Sequence, residues 1–339
     1  MMKQNTPVTL KFLAEKLKMS VSTVSKALNN YPTINEYTKK RVQEMAKDLR
    51  FTPNKSAINL KERKSRIIGV ILPNLLDHYF TRTIYGLEQF ATANGYNIII
   101  SQSQDDLEKE IQSANMLLRS RVDGLIIAIS KHTQDYAHVD QFENIGTPVV
   151  YYARNPSFNL NCHKVLGNTF QGCYEATQFL IDRGHRKIAY LGGPKMISFT
   201  HDRFNGYINA LRDNDIPFSS DFVAYTDFDQ ENTISAIQNL FADSENVPTA
   251  LVAFKEPILF DAIKYLRSIK HPNFDKVECI GFGNNAFITY LDAPPIASIE
   301  ENPESVGENA IKLLLQLIND QIEIQDYQKV MVDCKLVVH

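Results

Sequence analysis

V-T-L-K-F-L-A-E-K-L-K-M-S-V-S-T-V-S-K-A-L-N, residues 8–29, holds two short apolar runs back to back. Leu10, Leu13, Ala14 and Leu17 recur at helical spacing and stop at Met19-Ser20; Val21, Val24 and Leu28 take the pattern up again at once. Two helices joined by so tight a turn make a helix-turn-helix. The second helix is too polar to be ordinary core, because Ser22, Thr23, Ser25, Lys26 and Asn29 line its outer side. Short hydroxyls and one cation suit a helix that enters a major groove and touches base edges and phosphates. The plain alternative is a solvated basic surface.

Charge favours the groove. Residues 1–66 hold 15 Lys and Arg against 5 Asp and Glu, a net of about +10. The whole chain holds 36 and 39, so residues 67–339 hold 21 and 34, a net of about −13 that the overall −3 conceals. A basic head on an acidic body is the electrostatic footprint of a nucleic-acid binder whose other part does something else.

A chain of 339 residues predicts two or three domains, and 44% apolar content is enough for a sizeable core. No apolar leader precedes the helix-turn-helix and no stretch reaches the roughly 18–20 apolar residues of a membrane span, so a cytoplasmic protein away from membranes is expected. Cys162, Cys173, Cys279 and Cys334 are scattered without metal-like spacing, as reduced thiols would be.

Working outward, a third helix is predicted over residues 36–49, capped by Asn35, with Ile34, Val42, Met45, Ala46 and Leu49 facing inward. Phe51-Thr52-Pro53-Asn54 breaks it, and a charged linker of marginal helicity follows to Arg66. From Ile67 the pattern changes. I-I-G-V-I-L-P, residues 67–73, reads as a buried parallel strand, and strands at 96–100, 122–128 and 149–151 alternate with helices at 80–93 and 107–119. The alternation restarts with a helix at 172–183, and strands at 187–191, 250–254 and 277–282 are separated by helices at 202–213 and 257–269. A helix at 303–318 and one alternating strand at 328–338 close the chain. The fold class is therefore α/β: an all-α helix-turn-helix headpiece (1–53), a hinge (54–66), and a two-lobed body (67–339) of two Rossmann-like subdomains, the chain crossing between lobes near 165, 290 and 325. Ligands in such sheets bind outside the carboxyl ends of the strands, and facing lobes put those ends across one cleft.

These residues resemble the LacI/GalR family of bacterial transcription regulators over essentially the whole length. The matching pieces begin with V-T-L-K-x-L-A at 8–14, S-V-S-T-V-S-K-A-L-N at 20–29 and T-P-N at 52–54. The body adds I-I-G-V-I-L-P at 67–73, V-D-G-L-I at 122–126, F-L-I-D-R-G-H-R-K-I-A-Y-L-G-G at 179–193, R-F-N-G-Y at 203–207 and I-G-F at 280–282. The resemblance implies a body like a periplasmic sugar-binding protein, a homodimer, and a palindromic double-stranded operator. It implies base contacts from Val21, Ser22 and Lys26 and phosphate contacts from Thr23 and Ser25. Thr9, Ser20 and Asn29 are counted with them as DNA contacts. Residues 54–63 would be a hinge helix that enters the minor groove, with Asn54 in contact, Ala57 small enough for close approach and Leu60 wedging into the central base step. No leucine heptad follows the last strand, so a dimer is expected over a tetramer.

For the cleft, the resemblance implies effector stacking by Tyr79, Phe80 and Phe228 and a ligand-gripping guanidinium at Arg203, whose alternative partner is Asp202. Three positions depart from the family pattern: Gly167 where Asp is common, Lys255-Glu256 where Asn-Asp is common, and Gly283 where Asp is common, with Asn284 next to it. Glu301 stands where Gln is common. Either the acceptors have moved to Glu256, Asn284 and Glu301, or the ligand is not a simple neutral sugar. Lys255 either favours an anionic group or points into solvent.

Three function classes compete. An enzyme is disfavoured: His132, His163, His185 and His201 form no nucleophile–base pair, no metal spacing is present, and neither Gly192-Gly193 nor Gly281-Phe282-Gly283 is a phosphate-cradling loop. No cofactor is expected. A sugar-responsive repressor is the leading expectation. A regulator answering a nucleobase or phosphorylated ligand, or a DNA binder that needs no ligand, is the alternative.

Overall fold

Three helices make the N-terminal unit of the computed structural model: α1 Leu10–Leu17, α2 Val21–Leu28 and α3 Glu36–Asp48. The structure describes residues 8–51, 64–156, 160–243, 246–269 and 276–339. Each of the three helices starts on a side-chain cap. Thr9 accepts from the Phe12 amide at 3.2 Å, Ser20 from Thr23 at 3.0 Å and Asn35 from Thr38 at 2.8 Å. Lys18, left-handed at φ 52, closes the turn between α1 and α2 by donating to the Ala14 and Glu15 carbonyls. Leu13, Ala14, Leu17, Val24, Ala27, Val42 and Ala46 form the core of this unit. The expected hinge residues Asn54, Ala57 and Leu60 lie outside the described residues.

The chain divides into two compact units, Met1–Ser65 and Arg66–His339. The second unit has two lobes. Lobe one contains β1 Ile67–Leu72, α4 His78–Ala93, β2 Asn97–Gln102, α5 Leu107–Arg119, β3 Gly124–Ile127, α6 Ala137–Asn144, β4 Val149–Tyr152 and β5 His163–Gly167. Lobe two contains α7 Thr169–Asp182, β6 Ile188–Gly192, α8 Ser198–Asp213, β7 Val223–Tyr225 and α9 Gln230–Leu240. It continues with β8 Ala250–Ala253, α10 Glu256–Ser268, β9 Glu278–Phe282 and β10 Ala297–Glu300. Then α11 Pro303–Ile318 and β11 Lys329–Val332 return to lobe one, and β12 Lys335–Val338 ends in lobe two.

Both sheets have six strands, ordered β11-β5-β4-β3-β1-β2 and β12-β10-β9-β8-β6-β7; every pairing is parallel except β12 against β10. Each sheet is covered on both faces, so its central strands are apolar on both sides. In β1, Ile68, Val70 and Leu72 face the α4/α11 side while Ile71 faces the α5/α6 side, the period of two expected of a strand. In each lobe the connections leave the first strand in opposite directions, which opens a crevice at the strand carboxyl ends.

Several expectations need correction. Residues 328–338 are not one strand: Asp333-Cys334 separates β11 from β12, which lie in different sheets. The crossings fall at Asn168, at 301–302 and at 333–334, the last two about ten residues beyond the positions read from sequence. The reason is local. Around 290 the chain makes a 3₁₀ turn, Ala286–Tyr290, that feeds β10 within the same sheet, and only after Glu300 does it leave. The sequence reading also omitted α6, α9, β5, β7 and β10.

His185 belongs to the framework. It contacts Thr249 at 2.8 Å and Glu278 at 2.9 Å, and Glu278 also takes a two-pronged bond from Arg183. The hydrogen bond from Arg183, helped by that from His185, holds the Glu278 carboxyl down at about 2, against an ordinary 4.5. Because the folded value is depressed, the stabilisation is present above the unfolded value and is lost as pH falls from 4.5 towards 2. Glu278→Gln is expected to cost about 1 kcal/mol at pH 7, the surface position of Arg183 limiting the effect. Urea titration of both proteins at pH 7 and pH 2 checks this: the gap should close at the lower pH, and a constant gap would refute the assignment.

Candidate functional site

Five of the candidate residues share one side of α2, and Thr23 lies outside that arc. At 100° per residue, Val21, Ser22, Ser25, Lys26 and Asn29 fall within about 140° of one another. Val21 is 44% exposed. Ser22, Lys26 and Asn29 are exposed, and Thr23 and Ser25 are half-buried. Behind this face Val24 and Ala27 anchor the helix in the core. Thr9 and Ser20 use an oxygen lone pair for capping but keep an O–H to offer, and Ser20 shares a 2.8 Å contact with the Thr23 hydroxyl. The Asn29 amide donates to the Ser25 carbonyl at 2.9 Å, which fixes its direction.

In the body, all eight residues expected to meet an effector line one cavity of about 350 Å³ between the lobes. Lobe one contributes Tyr79 and Phe80, from the first turn of α4, whose N-cap is Asp77. Tyr79 meets Phe80 edge-on at 5.5 Å, and Phe80, only 7% exposed, in turn meets Tyr152 at 6.2 Å. Phe80 is thus mostly core, and burial pushes the Tyr79 hydroxyl well above its ordinary range. Phe228 faces the cavity from the loop after β7 with φ +80. An aromatic residue there is strained, and such strain concentrates at binding sites.

Arg203 is not free to grip a ligand. It is 2% exposed, donates to the Phe254 carbonyl and pairs with Glu301 rather than with Asp202. Its guanidinium carbon lies 3.6 Å from the Phe282 ring centre, 4.5 Å from Phe254 and 4.8 Å from Phe199. Burial raises the Glu301 carboxyl above the ordinary carboxylate range, and Arg203 opposes that rise. Glu301 occupies the second crossing itself, so this pair ties lobe two to the connecting strands.

Lys255 does not point into solvent. Its ammonium lies 3.8 Å over the Phe228 ring and 3.8 Å from Asp77 of the opposite lobe. Burial depresses its pKa, and Asp77 partly restores it. Glu256 is 3% exposed and accepts from the Asn285 backbone amide at 2.8 Å and from its side-chain amide. That explains Gly283. Its φ is +113, and a Cβ there would lie 2.9 Å from the Glu256 carboxyl carbon, so the glycine leaves the room that this longer acidic side chain occupies. Asn284 donates to Glu300 at 3.4 Å, and Glu300 holds Arg82 at 3.0 Å. At Gly167 a Cβ would meet only Thr169, at 3.6 Å, so a side chain is absent where one fits.

Sequence reasoning missed Asp77, Arg154, Phe199, Phe254 and Phe282, all of which line the cavity. The signal was present: Arg154, Phe254 and Phe282 stand at or just past the carboxyl ends of β4, β8 and β9, where ligands meet α/β sheets. Arg154 is anchored by a two-pronged bond to Asp105. Among the described residues no cluster of His, Cys, Asp and Glu is suited to a metal, and no helix is long and apolar enough to cross a membrane.

Residues 65–338 match the family described as periplasmic binding proteins and sugar binding domain of LacI family, and residues 9–54 match bacterial regulatory proteins, lacI family. Catabolite control protein A of Priestia megaterium is 29% identical over 317 residues, 93% of this chain and 93% of that protein. The HTH-type transcriptional repressor CytR of Escherichia coli strain K12 is 28% identical over 338 residues, 99% of this chain and 96% of that one. The Lac repressor dimer bound to operator and the anti-inducer ONPF superposes with a TM-score of 0.84 at 21% identity, covering 98% of each chain.

Proposed function

This chain belongs to the LacI family of DNA-binding transcriptional regulators, and from that premise we propose that it is a cytoplasmic, homodimeric repressor whose operator affinity is set by a sugar-like effector in the interlobe cavity. The observation that carries the reading is the gathering of all eight expected effector residues around one cavity, in a unit separate from the helix that offers Val21, Ser22 and Lys26 to DNA. In this reading two copies place two recognition helices in successive major grooves, and Leu60 of each hinge enters the minor groove between them. Effector binding changes how the lobes close across Lys255 and Asp77, and so the spacing of the hinges. Coupling is reciprocal: whatever factor the ligand applies to DNA affinity, DNA applies to ligand affinity.

Selection of the full chain against randomised duplex DNA tests the reading. A two-fold symmetric site is expected to emerge, and Lys26→Ala should weaken binding to it by about 1–3 kcal/mol, roughly 5- to 150-fold. Failure to enrich any sequence, or an unchanged affinity in Lys26→Ala, would refute the recognition assignment.

A further inference from the structure

We propose that Lys255 is an internal competitor of the effector: its ammonium takes the face of Phe228 on which a sugar ring would stack, and a ligand reaches that face only by displacing it. The proposal rests on reading the interlobe cavity as the effector site. The ammonium nitrogen lies 3.8 Å from the centre of the Phe228 ring. So close an approach to the centre is possible only over the face, because in the plane the ring's own edge stands in the way. It is also contact distance, since non-bonded heavy atoms meet at about 3.5–4.0 Å. No sugar atom fits between the two, so a stacked sugar ring and the ammonium need the same space. Both residues line the cavity, and Phe228 packs against the core of lobe two and meets Phe254 at 5.6 Å. The face under the ammonium is therefore the one turned to the cavity.

Asp77 holds the ammonium there from the opposite lobe, at 3.8 Å. The ion pairs Arg203–Glu301 and Arg82–Glu300 lie where the chain crosses between the lobes, whereas Lys255–Asp77 joins the starts of α10 and α4 across the cavity. Ring contact and partly exposed ion pair together resist a competing ligand by about tenfold in affinity, or 1.4 kcal/mol. The contact is also one that can be broken. The Lys255 side chain is 27% exposed, its backbone is extended (φ −159, ψ 161), and the side chain caps no amide of α10. A flexible four-carbon stem can then withdraw the charge into solvent without disturbing the helix. Arg203, 2% exposed among three rings, has no such freedom. The proposal differs in sign from a lysine that grips the ligand: removing a gripping lysine weakens binding, and removing a competitor strengthens it.

Calorimetry on the full chain, with ribose, glucose and cellobiose as probes, reads that sign. Lys255→Ala is expected to bind at least one probe roughly tenfold more tightly than the parent does. Asp77→Asn keeps a good cap on α4 while removing the charge, so it should gain less, and adding it to Lys255→Ala should gain nothing further. Lys255→Arg, which still stacks on the ring and pairs with Asp77, should stay near the parent. A second measurement needs no sugar. The chain has no tryptophan, so Phe228→Trp places a single indole under the ammonium. Adding Lys255→Ala should raise the quenching of that indole by acrylamide, because its face is uncovered. Unchanged quenching would overturn the proposal. So would a probe that Lys255→Ala binds no more tightly than the parent does, and that result would leave the cavity standing as the sugar site. Raised quenching with every probe silent in parent and variant alike would overturn the sugar reading, and the proposal with it.

Discussion

Gly307→Ala is expected to destabilise the body by about 3–5 kcal/mol, more than a typical overpacked core. A Cβ at 307 would lie 2.0 Å from the Thr83 carbonyl oxygen and 2.9 Å from the Leu87 nitrogen, and one at 86 would lie 2.2 Å from the Glu304 carbonyl. Every one of these obstacles is main chain, so no rotamer change relieves the clash. The axes of α4 and α11 must separate instead, which opens the packing of Leu87 against Val306 and Ala310. Set against a total stability of about 5–15 kcal/mol, the loss is large. A thermal midpoint lower by roughly 10 °C would follow. Circular dichroism melts measure it, and a midpoint within a degree of the parent would refute the account. Gly86→Ala should behave alike. The double variant should cost less than the two single losses together, because one separation of the helices relieves both clashes.

The same helix pair shows what could be read from the residues alone. Helix α11 was legible at both ends, because proline starts it and Asn319 ends a long apolar stripe. Its membership of lobe one was not. Nothing in its own stripe says which sheet it covers; that follows from where β10 stops, and Ala-Ser-Ile-Glu is too short and mixed to announce a strand. β7 has only three residues. Helix α9 is a different case: Thr233, Ala236, Ile237 and Leu240 carry a helical period that could have been counted. In the headpiece, Asn35 announced its helix, because caps act through neighbours three residues away, and Ser20 caps α2 in the same way although it was not read as a cap. In the cavity, the residues that share the wall were legible by motif, but their bonds were not. That Arg203 takes Glu301, or that the Glu256 carboxyl fills the room beside Gly283, depends on contacts between positions tens of residues apart.

Those long-range bonds change what is expected of Arg203. From sequence alone, Arg203→Ala should remove the ligand response and spare operator binding. With the guanidinium enclosed by three rings and paired to Glu301, the substitution should also destabilise the body by about 3–5 kcal/mol, since it leaves a buried carboxylate unpaired. The pH dependence identifies the cause. Burial already raises the folded pKa of Glu301, so its contribution is most favourable at low pH and is lost as pH rises through the folded value. Without Arg203 that value rises further, and the loss grows with it. The stability gap between parent and variant should therefore be wide at pH 8 and narrower at pH 5. Adding Glu301→Gln removes the charge that Arg203 compensated and should recover much of the stability at pH 8, yet it should not recover the effector response, because the lining rings of Phe199, Phe254 and Phe282 have lost the guanidinium they pack on. Denaturant melts at the two pH values and operator binding with and without effector separate the two roles. A variant as stable as the parent would mean that the ring-enclosed ion pair contributes nothing to holding the lobes. A response restored by Glu301→Gln would mean that Arg203 acts only by neutralising Glu301.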